Sequence, residues 1–236
     1  MRIQDTRFVI LDTETTGLSP VEDKVVDISL VEVSRNGISP LYDTLINPER
    51  DIPATASAVH HITSEDVADK PLFAEVWPTV MEYLADAVVV AHNAAFDRSM
   101  IPDTGRPWIC SYRLARHLWP DAPGHSNQVL RYWLNLKVDA KAAHSAAGDT
   151  LVTAHVFWQE LIHYRKQVAR SSSIEELIEF AASPIPVAAM PFGKHKGTPM
   201  AEIPLSYFQW ALENLNELDP DLKIAMEQQA AARQGS

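Results

Sequence analysis

The sequence predicts an α/β fold, a mixed sheet with helices packed on it. Three observations carry that expectation. Short apolar runs of strand length crowd the first part of the chain. A further strand-like run, Ala87–Ala91, follows a stretch of helical spacing. Helical spacing then dominates as far as Tyr164, so strands come first and strand-helix alternation follows.

The elements are expected in this order. Phe8-Val9-Ile10-Leu11 is a compact apolar run leading into Asp12 and reads as a buried strand. Lys24–Val33, rich in Val and Ile, is a second strand, Asn36-Gly37 a turn, and Leu41–Ile46 a third strand, which makes an antiparallel meander. Pro53–Asp69 reads as short helices and loops, and Phe73–Leu84 has helical spacing. After the strand Ala87–Ala91 come helices over Ala94–Met100, Ser111–Leu118, Ser126–Leu134 and Ala146–Tyr164. Ser171-Ser172-Ser173 followed by Glu175 and Glu176 predicts a capped short helix that Pro184 and Pro186 close. Pro191-Phe192-Gly193-Lys194-His195-Lys196-Gly197 then opens a second unit with a tight turn, Tyr207–Leu215 is an aromatic-rich amphipathic helix, and the tail from Gln228 is expected to fray. The expected organisation is a domain over 1–166, a linker with a short helix over 167–189, and a small C-terminal domain over 190–236.

With 236 residues, 46% hydrophobic and 22% charged, the chain is expected to be globular. It has no apolar run long enough to span a bilayer, so no membrane partner is expected. The single cysteine, Cys110, cannot form an internal disulfide, and a reducing cytoplasm is the simplest setting. The net charge of −11 excludes a protein that coats long duplex through its overall charge. The charge is uneven, however: residues 1–97 carry 6 Lys/Arg against 17 Asp/Glu, and residues 98–141 carry 7 against 3. A basic segment beside an acidic one suits an enzyme that grips a short strand near metal ions, and equally a solvated helix face.

Three acidic patterns carry the chemistry: Asp12-Thr13-Glu14-Thr15-Thr16-Gly17, His92-Asn93-Ala94-Ala95-Phe96-Asp97, and His144-Ser145-Ala146-Ala147-Gly148-Asp149. Asp12 and Glu14 sit two apart at a strand end, so period-two geometry puts both on one face. If Asn93 and Ser145 cap helices, Asp97 and Asp149 fall on or just past the first turn, where the helix dipole favours carboxylates. Like charges that close raise one another's pKa unless a cation neutralises them. Hard oxygen ligands favour Mg²⁺ or Mn²⁺, and two such ions about 3.5–4 Å apart can stabilise the attacking and leaving oxygens of a phosphoryl displacement. His144, with an ordinary pKa near 6.5, is the candidate general base. Each pattern alone also reads as a solvated strand end or an ordinary capped helix.

Taken in this order, the patterns D-x-E-T-T-G, H-N-x-x-F-D and H-x-A-x-x-D resemble the three exonuclease motifs of the DEDD superfamily, DEDDh branch, over approximately residues 7–164. The resemblance implies a ribonuclease H-like mixed five-stranded sheet flanked by helices, with a small C-terminal α+β unit. It implies degradation of DNA or RNA from the 3′ end with two divalent metals, Asp12, Glu14, Asp97 and Asp149 as metal ligands, and His144 as base. His60-His61-Ile62-Thr63 is similar to the family's H-G-I-T segment with His61 in place of glycine, which leaves His60 a substrate-contacting role. Trp108-Ile109-Cys110, the basic helix around Arg113 and Arg116, Leu118-Trp119-Pro120 and the P-F-G-K-x-K-G unit are similar to a stand-alone exodeoxyribonuclease of that branch. Single-stranded DNA or DNA 3′ ends are the implied partner. The alternatives are an RNA exonuclease and a polymerase-associated or non-catalytic nucleic-acid-binding subunit.

Smaller assignments follow. Gly17 allows close backbone approach, and Thr15 and Leu18 follow the ligand pair, Leu18 being either an apolar wedge on the terminal base or a loop residue tucked into the core. His92 and Asn93 either order a helix start or, for Asn93, touch substrate. Phe96 is expected in the core and Cys110 buried. Trp108, Trp119 and Trp133 are stacking platforms or packed aromatics. Lys194 and Lys196 hold phosphates from a turn or ride a solvated hairpin.

Overall fold

The computed structural model describes residues 1–138, 146–168, 173–215 and 218–234. His144 and Ser145 therefore lie outside the described residues, as do Ser171 and Ser172. The chain divides into two units, Met1–Ala182 and Ser183–Ser236.

The first unit is built on a five-stranded sheet in the order β3-β2-β1-β4-β5. Its strands are β1 (Phe8–Thr15), β2 (Val25–Ser34), β3 (Gly37–Leu45), β4 (Val88–Ala91) and β5 (Trp108–Cys110). The β1-β2 and β2-β3 pairs are antiparallel, joined by short connections, while β1-β4 and β4-β5 are parallel and joined through helices. The mixed sheet expected from the sequence is thus observed. β5 went unassigned to residues in that reading because three residues are too few to show a period. Gly37 completes the β2-β3 turn at φ 118°, a conformation that a side chain would strain.

Both faces of the sheet are covered. In β1, Phe8 and Ile10 point to one apolar cluster and Val9 and Leu11 to another. The first cluster is closed by α5 (Ser111–Leu118), α6 (Asn127–Trp133), α7 (Ala146–Gln167) and α8 (Ile174–Ala182), through Leu114, Leu130, Phe157 and Leu177. The second is closed by α3 (Phe73–Tyr83) and its C-cap, through Val76, Val80 and Leu84. Each such side chain stabilises the fold by about 1.5–3 kcal/mol when fully buried. Two short helices, α1 (Ala54–His60) and α2 (Ser64–Val67), lie over the Val26 side of the meander. The remaining helix, α4 (Ala94–Met100), follows β4 directly.

Unit one extends to Ala182, past the expected boundary at 166. Its last helix, α8, is no spacer, because Ile174, Leu177 and Ala181 belong to the first apolar cluster. Phe96, expected in the core, is half-buried and outside the apolar clusters, and Cys110 is half-buried too. Trp119 is buried, Trp108 half-buried and Trp133 exposed.

The second unit has its own core of Met190, Met200, Ile203, Phe208, Ala211, Leu222 and Met226. Among the described residues it holds two α-helices, α9 (Leu205–Asn214) and α10 (Pro220–Gln234), and two single-turn 3-10 helices, and its β content is one isolated bridge, Ala189 to Pro199. The tail does not fray where the sequence suggested. Arg233 donates to the carbonyls of Ile203 and Met200 at 2.6 and 2.7 Å, and so pins the last turn of α10. No helix among the described residues is long and apolar enough to cross a membrane.

Candidate active site

The site lies where β1 ends. Asp12 and Glu14 share the sheet face of Phe8 and Ile10, the face that α7 covers, and α7 brings Asp149 from its first turn. Asp97 comes from the first turn of α4 and is only 3% exposed. It is held from the strand between the two β1 acids: the Thr13 N–H and hydroxyl both donate to its Oδ1, at 3.0 and 2.9 Å. A register shift between Glu14 and Thr15 ends the regular pairing with β2 beside the acids.

The electrostatics identify this as one cluster. The Asp12 carboxyl is pushed well above the usual range, first by burial, then by Asp97, Glu14, Asp149 and Asp27. Glu14 is raised to about 8 by burial and by Asp149, Asp27 and Asp97. Burial raises Asp97 to about 7 against the lowering effect of the Thr13 bonds. Asp12, Glu14 and Asp97 enter none of the ion pairs among the described residues. The same four carboxylates do not yet share one ligating point, since no three His, Cys, Asp or Glu side chains among the described residues converge at metal-holding distance. The donor chemistry nevertheless fits a hard divalent cation, because such an ion favours the ionised form of buried oxygen donors.

Three contributors escaped the sequence reading. Asp27, opposite Glu14 on β2, is buried, raised to about 7 chiefly by burial, and accepts from the Ala146 N–H at 3.3 Å, so it fixes the start of α7. Thr13 holds Asp97 as described. Gln128 on α6 donates to Asp149 Oδ1 at 3.5 Å and accepts from Arg131 Nη1 at 3.3 Å. Arg131 Nη2 donates to the Val138 carbonyl at 2.5 Å. Only Asp27 left a trace in the sequence, as an acid interrupting an apolar strand.

The substrate-side residues are dispersed around this cluster. Leu18 is not tucked into the core: it is 83% exposed at the head of the loop after β1. Gly17 leaves room there for a protein group, since a Cβ would meet the Asp23 carboxylate at 2.4 Å. That carboxylate accepts from the Ser19 N–H and the Thr16 hydroxyl, both at 2.9 Å, and these bonds hold its pKa down. Thr15 is buried, and its hydroxyl donates to the Gly17 carbonyl at 2.6 Å. His60 is 4% exposed and its Nδ1 accepts from the Ile62 N–H at 3.1 Å, which leaves Nε2 as the protonated nitrogen. Nε2 is buried and makes no hydrogen bond within standard geometry among the described residues, and the ring lies beside the Thr15 backbone. His61 takes the left-handed conformation at φ 62°, so the position keeps the backbone shape a glycine would give.

Asn93 corrects the expected cap. It stands at the N-cap of α4 with φ 76° and ψ 47°, and its side chain makes no capping bond. Its exposed amide is therefore left to solution. His92 is structural: Nε2 bonds the His125 carbonyl at 2.8 Å, the ring packs edge-on to Tyr112, and burial lowers its pKa to about 4.

The chain is similar to known proteins over most of its length. The exonuclease family model RNase_T matches residues 9–157. A second model, QSregVF_b, whose description concerns a quorum-sensing-regulated virulence factor, matches residues 176–215. Exodeoxyribonuclease 10 of Escherichia coli strain K12 is 33% identical over 223 residues, 92% of this chain and 96% of that protein. The DNA polymerase III subunit epsilon of Treponema pallidum is 31% identical over 187 residues, 73% of this chain and 87% of that one. The structure of exonuclease X in complex with 5′ overhanging duplex DNA superposes with a TM-score of 0.61 at 33% identity, covering 72% of this chain and 99% of that one. With its catalytic-domain fold, its carboxylate cluster and a family match over most of its length, the chain belongs to the RNase_T exonuclease family.

Proposed function

We propose that this chain is a stand-alone 3′→5′ exonuclease that releases nucleoside 5′-monophosphates from single-stranded DNA or DNA 3′ ends. The observation that carries the reading is the carboxylate cluster of Asp12, Glu14, Asp97 and Asp149 at the end of β1. DNA as substrate is supported by the name of the Escherichia coli relative and by the duplex bound to the similar structure. Stand-alone action is supported by the near-complete mutual coverage with that relative. A cytoplasmic setting accords with a single, unpaired cysteine.

Divalent-metal dependence is general among exonucleases of this fold. Asp12, Glu14, Asp97 and Asp149 would hold the metal, read here as two Mg²⁺ or Mn²⁺ ions. Bound there, the cations supply Lewis-acid stabilisation of charge developing on the phosphate oxygens. The protein's own part is to bind, orient and move a proton. His144 accepts the proton of the attacking water, whose oxygen bonds to phosphorus as the bond from phosphorus to the penultimate 3′-oxygen breaks. That oxygen leaves with a proton from solvent, and the terminal nucleotide departs with its 5′-phosphate. Leu18 offers an apolar face to the terminal base, and Asn93 offers an amide beside the strand end. Thr15 lines the floor beside His60.

Digestion of DNA and RNA oligonucleotides labelled at either end, in Mg²⁺, tests the reading. Mononucleotide release from the 3′ end of DNA is expected, and Asp12→Ala should abolish it while leaving the fold intact. Release from the 5′ end, or an Asp12→Ala enzyme of parental rate, overturns it. Faster digestion of RNA replaces the substrate assignment alone.

A further inference from the structure

We infer that the second unit carries a binding surface for single-stranded nucleic acid, built from an aromatic row and two lysines. This goes beyond the active site and shares with the proposed function only the premise that the enzyme handles strands.

The surface begins in the loop between Met190 and Thr198. Main-chain bonds close it: Met190 N–H to the Thr198 carbonyl at 3.0 Å, Gly197 N–H to the Met190 carbonyl at 2.8 Å, and Lys196 N–H to the Gly193 carbonyl at 3.1 Å. Gly193 and Gly197, at φ 70° and 81°, give the turns a side chain would strain. Met190 and Met200 anchor the loop in the core. The loop is therefore fixed, and it displays Phe192, Lys194 and Lys196 outward.

The rings continue from the loop onto α9. The His195 ring packs edge-on to Tyr207 at 4.6 Å between centroids, and Tyr207 lies 5.7 Å from Trp210 at a tilt of 38°. The Tyr207 hydroxyl sits 3.2 Å from where a Gly193 Cβ would be, so the loop backbone rests on the same ring. Packing alone would bury such rings, yet Trp210 is 49% exposed and Phe192 is 40% exposed. Lys194 and Lys196 enter no ion pair among the described residues.

Flat exposed π-faces on a rigid support, with unpaired cations beside them, match unstacked bases on a phosphate backbone. The unit as a whole is acidic, and exposed Glu213 lies one turn beyond Trp210 on α9. Charge alone therefore does not make the surface, and stacking must supply much of the affinity. Such a contact would raise the local concentration of strand around the enzyme without altering the chemical step.

The test uses the full chain in EDTA, where binding is read without hydrolysis, with fluorescein-labelled oligothymidylate as the probe. Fluorescence anisotropy should show binding that weakens about tenfold in Phe192→Ser with Trp210→Ser, and unfolding midpoints should stay at the parental value because both rings are exposed. Lys194→Gln with Lys196→Gln should lower the slope of log affinity against log salt by about 0.7 per lysine. Dinucleotide hydrolysis in Mg²⁺ should keep the parental rate in both variants. Affinity within about twofold of parental in the ring variant overturns the inference, and so does a loss confined to the lysine variant, which marks phosphate attraction without stacking. A chain that binds oligothymidylate through these residues but never hydrolyses DNA refutes the proposed function and leaves this surface standing.

Discussion

Thr13 places two donors on a single oxygen of Asp97, its N–H at 3.0 Å and its hydroxyl at 2.9 Å. The pair ties α4 to the end of β1 and aims a buried carboxylate at the acids on either side of Thr13. Both bonds favour the ionised form, against burial that disfavours it.

Thr13→Val removes the hydroxyl and keeps the N–H. The loss should destabilise the fold by about 1 kcal/mol. It should also raise the Asp97 pKa further, so the acidic limb of the pH–rate profile moves to higher pH and more Mg²⁺ is needed at pH 7. Activity against pH at several Mg²⁺ concentrations checks this. An unmoved limb means that Asp97 is ionised by other means.

Metal-free stability should fall as pH rises from about 6.5 to about 8. In the folded state Glu14 holds its proton to about 8, and Asp27 and Asp97 hold theirs to about 7, while the unfolded chain has lost them near the ordinary values of 4.5 and 3.8. Asp12 and buried Glu160 are raised as well. Across this window the native state binds more protons, so each step upward in pH favours unfolding. The lowered histidines, His60, His92 and His155, act in the other direction but only below their ordinary 6.5. Divalent metal should reverse the trend, because ligation needs the ionised carboxylates and releases their protons. Urea midpoints in EDTA and in Mg²⁺ across this range check it, and a flat or rising EDTA series refutes it.

Legibility in the sequence followed period and length. Asp12 and Glu14 could be put on one face because a strand has a period of two, and the helices Ala94–Met100 and Ser111–Leu118 could be bounded because a β-like strand or loop precedes each. Trp108–Cys110 could not be bounded, for it is a strand only by virtue of its pairing with β4. Thr13, Asp27 and Gln128 act on the cluster across tertiary distances of 84, 119 and 21 residues along the chain, which no local pattern encodes. Leu18 was ambiguous for a related reason: apolar character alone does not say whether a loop residue turns inward or outward.

Gly17→Ala should disturb the substrate loop more than the core. The new Cβ would lie 2.4 Å from Asp23 Oδ2, so the carboxylate must leave and release Ser19 and Thr16. A cost of about 1–3 kcal/mol is expected from the overpacking. Combining it with Asp23→Ala should cost less than the two alone, since both break the same contacts. Leu18→Ala is the counterpart: at 83% exposure it should leave stability within about 0.5 kcal/mol and act on kcat/KM instead. Thermal melts and oligonucleotide kinetics on the four variants check both expectations, and an unchanged kcat/KM for Leu18→Ala removes it from the substrate face.

Arg131 is the residue through which α6 reaches the chemistry. One guanidinium nitrogen supports Gln128, which in turn donates to Asp149, and the other holds the Val138 carbonyl. Methionine at 131 keeps the aliphatic stem and loses both bonds. The orientation of Asp149 and the hold on Val138 are then lost together, so kcat should fall about tenfold, a loss of about 1.4 kcal/mol in transition-state stabilisation, while KM changes little. Gln128→Ala breaks only the first arm, so Mg²⁺ affinity should weaken with a smaller loss of kcat. Saturating-substrate kinetics and metal titration calorimetry on the two variants separate the arms. Equal effects of both on metal affinity would mean that Arg131 acts through Gln128 alone and that its hold on Val138 is structural.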